Sequence, residues 1–238
     1  MRLWHFLVLA AGAGAPAQAD ITATYLNDER ESGFEMKVQI AANGDLRADD
    51  PDLPGRYMIR RGGRVYFVEQ DPRGKVVEDF VDVVAVIDEE LSKLDPRVCD
   101  RLQASNSRSK LVSRGPVTIA GRSGEAFGPE GREGSPAQIV ISRDPALVPL
   151  GTAMAAQFRM SLALMGRCAP DVPMYAQMQA LLESGAPLIF GPVRLGSVET
   201  KAIDPARFAL PAEPATREEI RARLFGEAGP AAAPSVRN

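Results

Sequence analysis

Ser107 and Lys110 stand three residues apart, the Ser-x-x-Lys spacing in which an amine can lie near enough to a hydroxyl to take its proton. The companion Ser-Asp-Asn and Lys-Thr-Gly motifs are missing, and the Ser/Arg-rich stretch around Ser107 reads as an exposed loop. Asp49, Asp50 and Asp52 could offer oxygens to calcium. Counted as an EF-hand loop from Asp50, however, the twelfth position is Arg61 where a bidentate glutamate is needed, which leaves a solvated turn. Asp88-Glu89-Glu90 could be imagined as a carboxylate pair for acid–base work, but adjacent helical residues point apart, so they read as an exposed helix face. Gly128, Gly131 and Gly134 lack the strand-to-helix junction and the Lys-Ser/Thr of a phosphate loop and read as a flexible hairpin tip. No catalytic residue, metal ligand set or cofactor is expected from these patterns.

The single histidine, His5, and the single tryptophan, Trp4, fall in an N-terminal stretch with the form of a secretory signal. Met1-Arg2 is followed by an apolar run from Leu3 to Ala11 and by small residues ending Ala17-Gln18-Ala19, which places cleavage before Asp20. That run is too short to span a bilayer, and no cysteine follows the cleavage point, so a soluble periplasmic protein is expected. A mature chain without histidine excludes Ser-His-Asp and Cys-His nucleophiles and His-ligated zinc. The formal net charge of −3 becomes about −4 when Arg2 leaves with the signal, which makes nucleic acid a poor partner. Two cysteines remain, Cys99 and Cys168. In an oxidising compartment they form a bridge or stay as two buried thiols, and they are too far apart in sequence for a redox pair.

Strict alternation over Phe34, Met36, Val38 and Ile40, followed by Asn43-Gly44, predicts a half-buried strand entering a hairpin. The pattern recurs at Tyr57 to Arg60, Val65 to Val68 and Val76-Val77, with turns at residues 61–64 and 71–74. From Phe80 the period changes to that of a helix reaching about Leu94, and Pro96 opens a helical piece carrying Cys99 and Leu102. Strands are expected again over residues 117–120, 124–127 and 138–142, then helices over about 145–166 and 174–184. Closing strands over 188–190 and 193–201 and an extended 203–211 segment precede a capping box at Thr216 to Glu219 and an Ala/Pro-rich tail. This order predicts an α+β fold, an antiparallel sheet with helices gathered on one side.

Five of the eight methionines, Met154, Met160, Met165, Met174 and Met178, lie on the two helices of the second half. Unbranched thioethers repack easily, either to fill irregular gaps in a core or to line a cavity for ligands of variable shape.

Two short motifs carry a resemblance. One is Gly115-Pro116-Val117-Thr118-Ile119-Ala120-Gly121-Arg122 running into Gly124-Glu125-Ala126-Phe127; the other is the exit Asp204-Pro205-Ala206-Arg207-Phe208-Ala209-Leu210-Pro211. With Gly185-Ala186-Pro187-Leu188 between them, the chain over about residues 20–212 resembles the LolA-like periplasmic domains, in an uncharacterised branch of small exported proteins. The resemblance implies an incomplete β-barrel, a curved antiparallel sheet with helices on its concave side, and an apolar cavity for acyl chains. On that basis residues 1–19 are the signal, 20–212 the half-barrel domain and 213–238 a short helix and tail. The expected activity is non-enzymatic binding of a lipid, acyl chain or other hydrophobic ligand, at Phe34, Met36, Val38, Ile40, Tyr57, Phe67, Met154 and Phe158. The alternative is an envelope interaction or sensory protein with a filled core, whose partner is another protein.

Overall fold

A computed structural model describes residues 19–27, 35–49, 55–72, 74–93, 110–132, 134–166 and 173–226. The expected signal, Phe34, Asp50, Asp52, the helical piece with Cys99 and Leu102, Ser107 and Cys168 lie outside the described residues.

Eleven strands form one antiparallel sheet: β1 (Ile21–Asn27), β2 (Glu35–Ile40), β3 (Leu46–Asp49), β4 (Tyr57–Arg61), β5 (Arg64–Asp71), β6 (Gly74–Asp79), β7 (Leu111–Ile119), β8 (Arg122–Pro129), β9 (Ile139–Ser142), β10 (Ala186–Phe190) and β11 (Val193–Glu199). Their spatial order is β6-β5-β4-β3-β2-β1-β11-β10-β9-β8-β7. The first and last strands therefore meet at the centre, and β6 and β7 are the two edges of an open sheet. Pro116 sits in edge strand β7, where a missing N–H costs least. Among the described residues, four α-helices accompany the sheet: α1 (Phe80–Ser92), α2 (Val148–Ala163), α3 (Pro173–Ser184) and α4 (Arg217–Phe225).

Local chemistry sets the ends of these elements. Asp79 caps α1 by accepting from the Val81 N–H at 2.9 Å, while its other oxygen pairs with Arg64. The capping box on α4 is complete, with the Thr216 hydroxyl accepting from the Glu219 N–H and the Glu219 carboxylate accepting from the Thr216 N–H. Asp20 ties the start of the sheet to two distant backbones, accepting from the N–H groups of Ala42 and Ile203 at 2.7 Å each. These bonds favour the charged carboxylate and hold its pKa below the ordinary 3.8.

The main core gathers Ala23, Tyr25, Met36, Val38, Ile40, Leu46, Ala48 and Met58 of the strands with Leu147, Leu150, Ala153 and Met154 around α2 and Leu182 of α3. Helix α2 approaches the sheet closely because of two glycines. A Cβ on Gly151 would stand 2.5 Å from the Gly185 carbonyl oxygen, and one on Gly185 would stand 2.3 Å from that of Ser142. Helix α1 packs through Phe80 edge-on to Phe67 of β5, with ring centroids 5.8 Å apart.

The chain beyond β11 wraps the β6 edge. Phe208 is buried in a 3-10 turn (Pro205–Phe208), and Leu210 packs on Tyr57, Ile59, Tyr66, Val68 and Val77. The Ala215 N–H then donates to the Val77 carbonyl at 2.8 Å, and Pro214 bridges to β6. Finally Ile220 of α4 packs on Val83 and Val86 of α1. An otherwise open strand edge is thus covered by the chain's own C-terminal segment.

Several expectations are corrected. The sheet begins at Ile21, a strand not anticipated, whose inward Ile21, Ala23 and Tyr25 alternate with half-exposed threonines and Leu26. Strand β7 starts at Leu111, and Gly128 belongs to β8, not to a mobile tip. A Cβ on Gly128 would stand 2.5 Å from the Arg114 guanidinium, which donates to the carbonyls of Pro129, Arg132 and Ser135. Residues 145–147 form a 3-10 turn before α2, and part of the segment expected to be extended carries the 205–208 turn.

Candidate functional site

At one end of the central strands, the β10–β11 hairpin turns at Gly191-Pro192 and presents Phe190 opposite Val193. Val193 is in turn paired with Asn27 at the end of β1. Met36 lies one strand away on β2, opposite Tyr25. Over this corner passes α2 with Met154, Gln157, Phe158 and Ser161, the i, i+3, i+4, i+7 stripe of a helix face. The side chains leave a cavity of about 240 Å³ lined by these residues and Pro192. Asn27, Met36, Met154 and Val193 are buried and form its floor; Ser161 and Pro192 are exposed and mark its mouth. Phe158 forms one wall, edge-on to Phe190 at 5.9 Å and to Tyr175 of α3 at 6.0 Å. None of the lining side chains among the described residues is charged.

Next to this corner, the Tyr25 hydroxyl is buried and donates to the Pro187 carbonyl at 2.8 Å. Burial pushes its pKa upward, so it stays a neutral donor joining β1 to β10.

Of the anticipated ligand residues, Met36, Met154 and Phe158 meet in this cavity. Val38 and Ile40 share the buried core further along β2 and do not line it. Phe67 is taken up by Phe80. Tyr57 is on the other face of β4 from Met58, under Leu210, with the Arg47 guanidinium 3.4 Å from its ring centre. The sequence reading passed over Asn27, Gln157, Ser161, Phe190, Pro192 and Val193. The helical stripe through Met154 and Phe158 could have supplied Gln157 and Ser161; the rest arrive through strand pairing across the chain.

Two larger grooves have a different character. One of about 710 Å³ runs along the β7–β8 turn and the end of β9, where Arg122 and Asp144 already pair at 2.6 Å. The other, about 630 Å³, lies between β6 and α4, where Arg223 holds Glu78 at 2.5 Å. Both grooves are lined by charged side chains and hold an ion pair, whereas the smaller cavity offers apolar surface.

The other chemical candidates among the described residues lie apart from this cavity. Asp49 lies 3.6 Å from Arg47, and Lys110 is exposed just before β7. Glu89 and Glu90 do more than solvate a helix face, because both pair with Arg221 of α4. Among the described residues, no group of three His, Cys, Asp or Glu side chains is placed to hold a metal ion, and no helix is long and apolar enough to cross a membrane. Comparison of the chain with known protein families, curated proteins and solved structures finds no match.

Proposed function

We propose that this chain is a non-enzymatic periplasmic binding protein for a lipid, acyl chain or other hydrophobic group, built as a LolA-like half-barrel with its helices on the concave side. The observation that carries the proposal is the uncharged cavity under α2, with Met36, Met154 and Val193 at its floor and Phe158 and Phe190 as walls. An apolar chain entering it would gain ~0.8 kcal/mol per methylene removed from water, enough for a small site to be useful. Two methionines at the floor let the space adapt to its guest.

A second reading is an envelope interaction protein with a filled interior, favoured by the tight remainder of the core. Tyr25, Leu150, Leu188 and Leu195 are fully enclosed, and Gly151 and Gly185 bring backbones into direct contact. Mass spectrometry of organic extracts from protein purified from periplasm without detergent separates the two. Stoichiometric lipid in the native protein, and none in a folded Met154→Asp/Phe158→Asp variant, supports a carrier; extracts empty in both support the interaction protein.

A further inference from the structure

Resting on that reading, we infer that the cavity takes a single short-chain amphiphile with a neutral, hydrogen-bonding head, of the monoacylglycerol or fatty-amide class. Size comes first. About 240 Å³ lies below the roughly 300–1,000 Å³ of pockets that enclose drug-sized ligands, so it admits one short chain and not the paired chains of a membrane phospholipid.

The polarity gradient then orients the guest. The apolar tail lies against Met36, Met154 and Val193 at the buried floor, where the one polar side chain, Asn27, already has a partner within the protein, with the rings of Phe158 and Phe190 along its side. The head stays at the mouth beside Gln157 and Ser161, one helical turn apart on α2. The Gln157 amide offers both a donor and an acceptor. The Ser161 hydroxyl donates to the Gln157 backbone carbonyl at 3.1 Å, so its oxygen faces a ligand as an acceptor.

Charge sets a preference. Among the described residues no lysine or arginine lines the site, so a carboxylate or phosphate drawn into this mouth would lose water and gain no cation from them. The nearest basic residue along α2, Arg159, is held by Glu183 of α3 at 2.7 Å. A neutral amide, ester or hydroxyl loses far less on entering and has partners waiting.

Calorimetric titration of the delipidated protein at pH 8 with 1-decanoylglycerol, sodium decanoate and dioleoylphosphatidylglycerol vesicles tests the assignment. The expected result is one decanoylglycerol per chain, bound at least tenfold more tightly than decanoate, with no binding to the vesicles. Gln157→Leu, checked for native circular dichroism, should weaken decanoylglycerol severalfold and leave decanoate unchanged. Decanoate binding as tightly as decanoylglycerol, or stoichiometric uptake of the two-chain lipid, overturns the neutral single-chain assignment while leaving the carrier reading intact. No binding of any probe overturns both.

Discussion

Helix α2 rests on the sheet and helix α4 on α1, and they are held there by opposite means. Leu150, Ala153, Met154 and Ala155 of α2 are buried in the main core, and Gly151 lets its backbone touch the turn before β10. Helix α4 buries one side chain, Ile220, and is otherwise held by arginines: Arg217 to Asp82 at 2.7 Å, Arg221 to Glu89 and Glu90, and Arg223 to Glu69 and Glu78. The contrast separates tasks. Apolar packing fixes α2 firmly enough to frame a cavity beside it, while ion pairs in partial contact with water make α4 a cover whose grip depends on conditions.

The largest expected effect is on the α2 side. Leu150→Ala should lower global stability by about 2–5 kcal/mol, as for other fully buried leucines, read from the midpoint of urea unfolding. A loss below about 1 kcal/mol would mean that α2 is no better anchored than α4. On the other side, Arg223→Ala leaves the buried Glu78 without its partner and should cost about 2 kcal/mol. Hydrogen exchange should localise that loss to residues 217–225 and α1, and 1 M salt should speed exchange in α4 without affecting α2. Equal salt sensitivity in both helices would erase the distinction.

Smaller changes sharpen it. Val193→Leu adds a methylene toward the cavity and should raise the unfolding free energy by up to ~0.8 kcal/mol while weakening decanoylglycerol binding. The matching change in the core, Val38→Leu, has no space to fill and should destabilise. The smallest effect belongs to Asp20. Its folded pKa is depressed by the Ile203 and Ala42 N–H groups, so its contribution is present above the unfolded value near 3.8 and is lost as pH falls through the lower folded value. Asp20→Ala should therefore unfold slightly more easily than the parent at pH 7, with the two curves converging in acid below that window.

What the sequence reveals follows from how far each signal reaches. The capping box at Thr216 is written within four residues and the change of period at Phe80 within a few turns, and helices start at both places. The hairpin strands alternate wherever one face meets water. At β4 that logic fails, because Tyr57, Met58 and Ile59 are all buried, and alternation cannot tell which side is which. The second face is covered by Leu210, about 150 residues later, a contact no local pattern announces. Met154 and Phe158 are legible as one face of a helix, but their partners Phe190, Val193 and Asn27 join them only through pairing of the first and last strands.

The most direct test of the central claim is a methyl spectrum of the protein carrying 13C-labelled methionine methyls, recorded with and without 1-decanoylglycerol. Met36 and Met154 line the cavity, whereas Met58 is buried in the same core away from it. Saturable shifts of the Met36 and Met154 methyls with Met58 unmoved are the predicted result. Unmoved Met36 and Met154, or shifts spread equally over Met58 and exposed Met165, would contradict a binding site under α2.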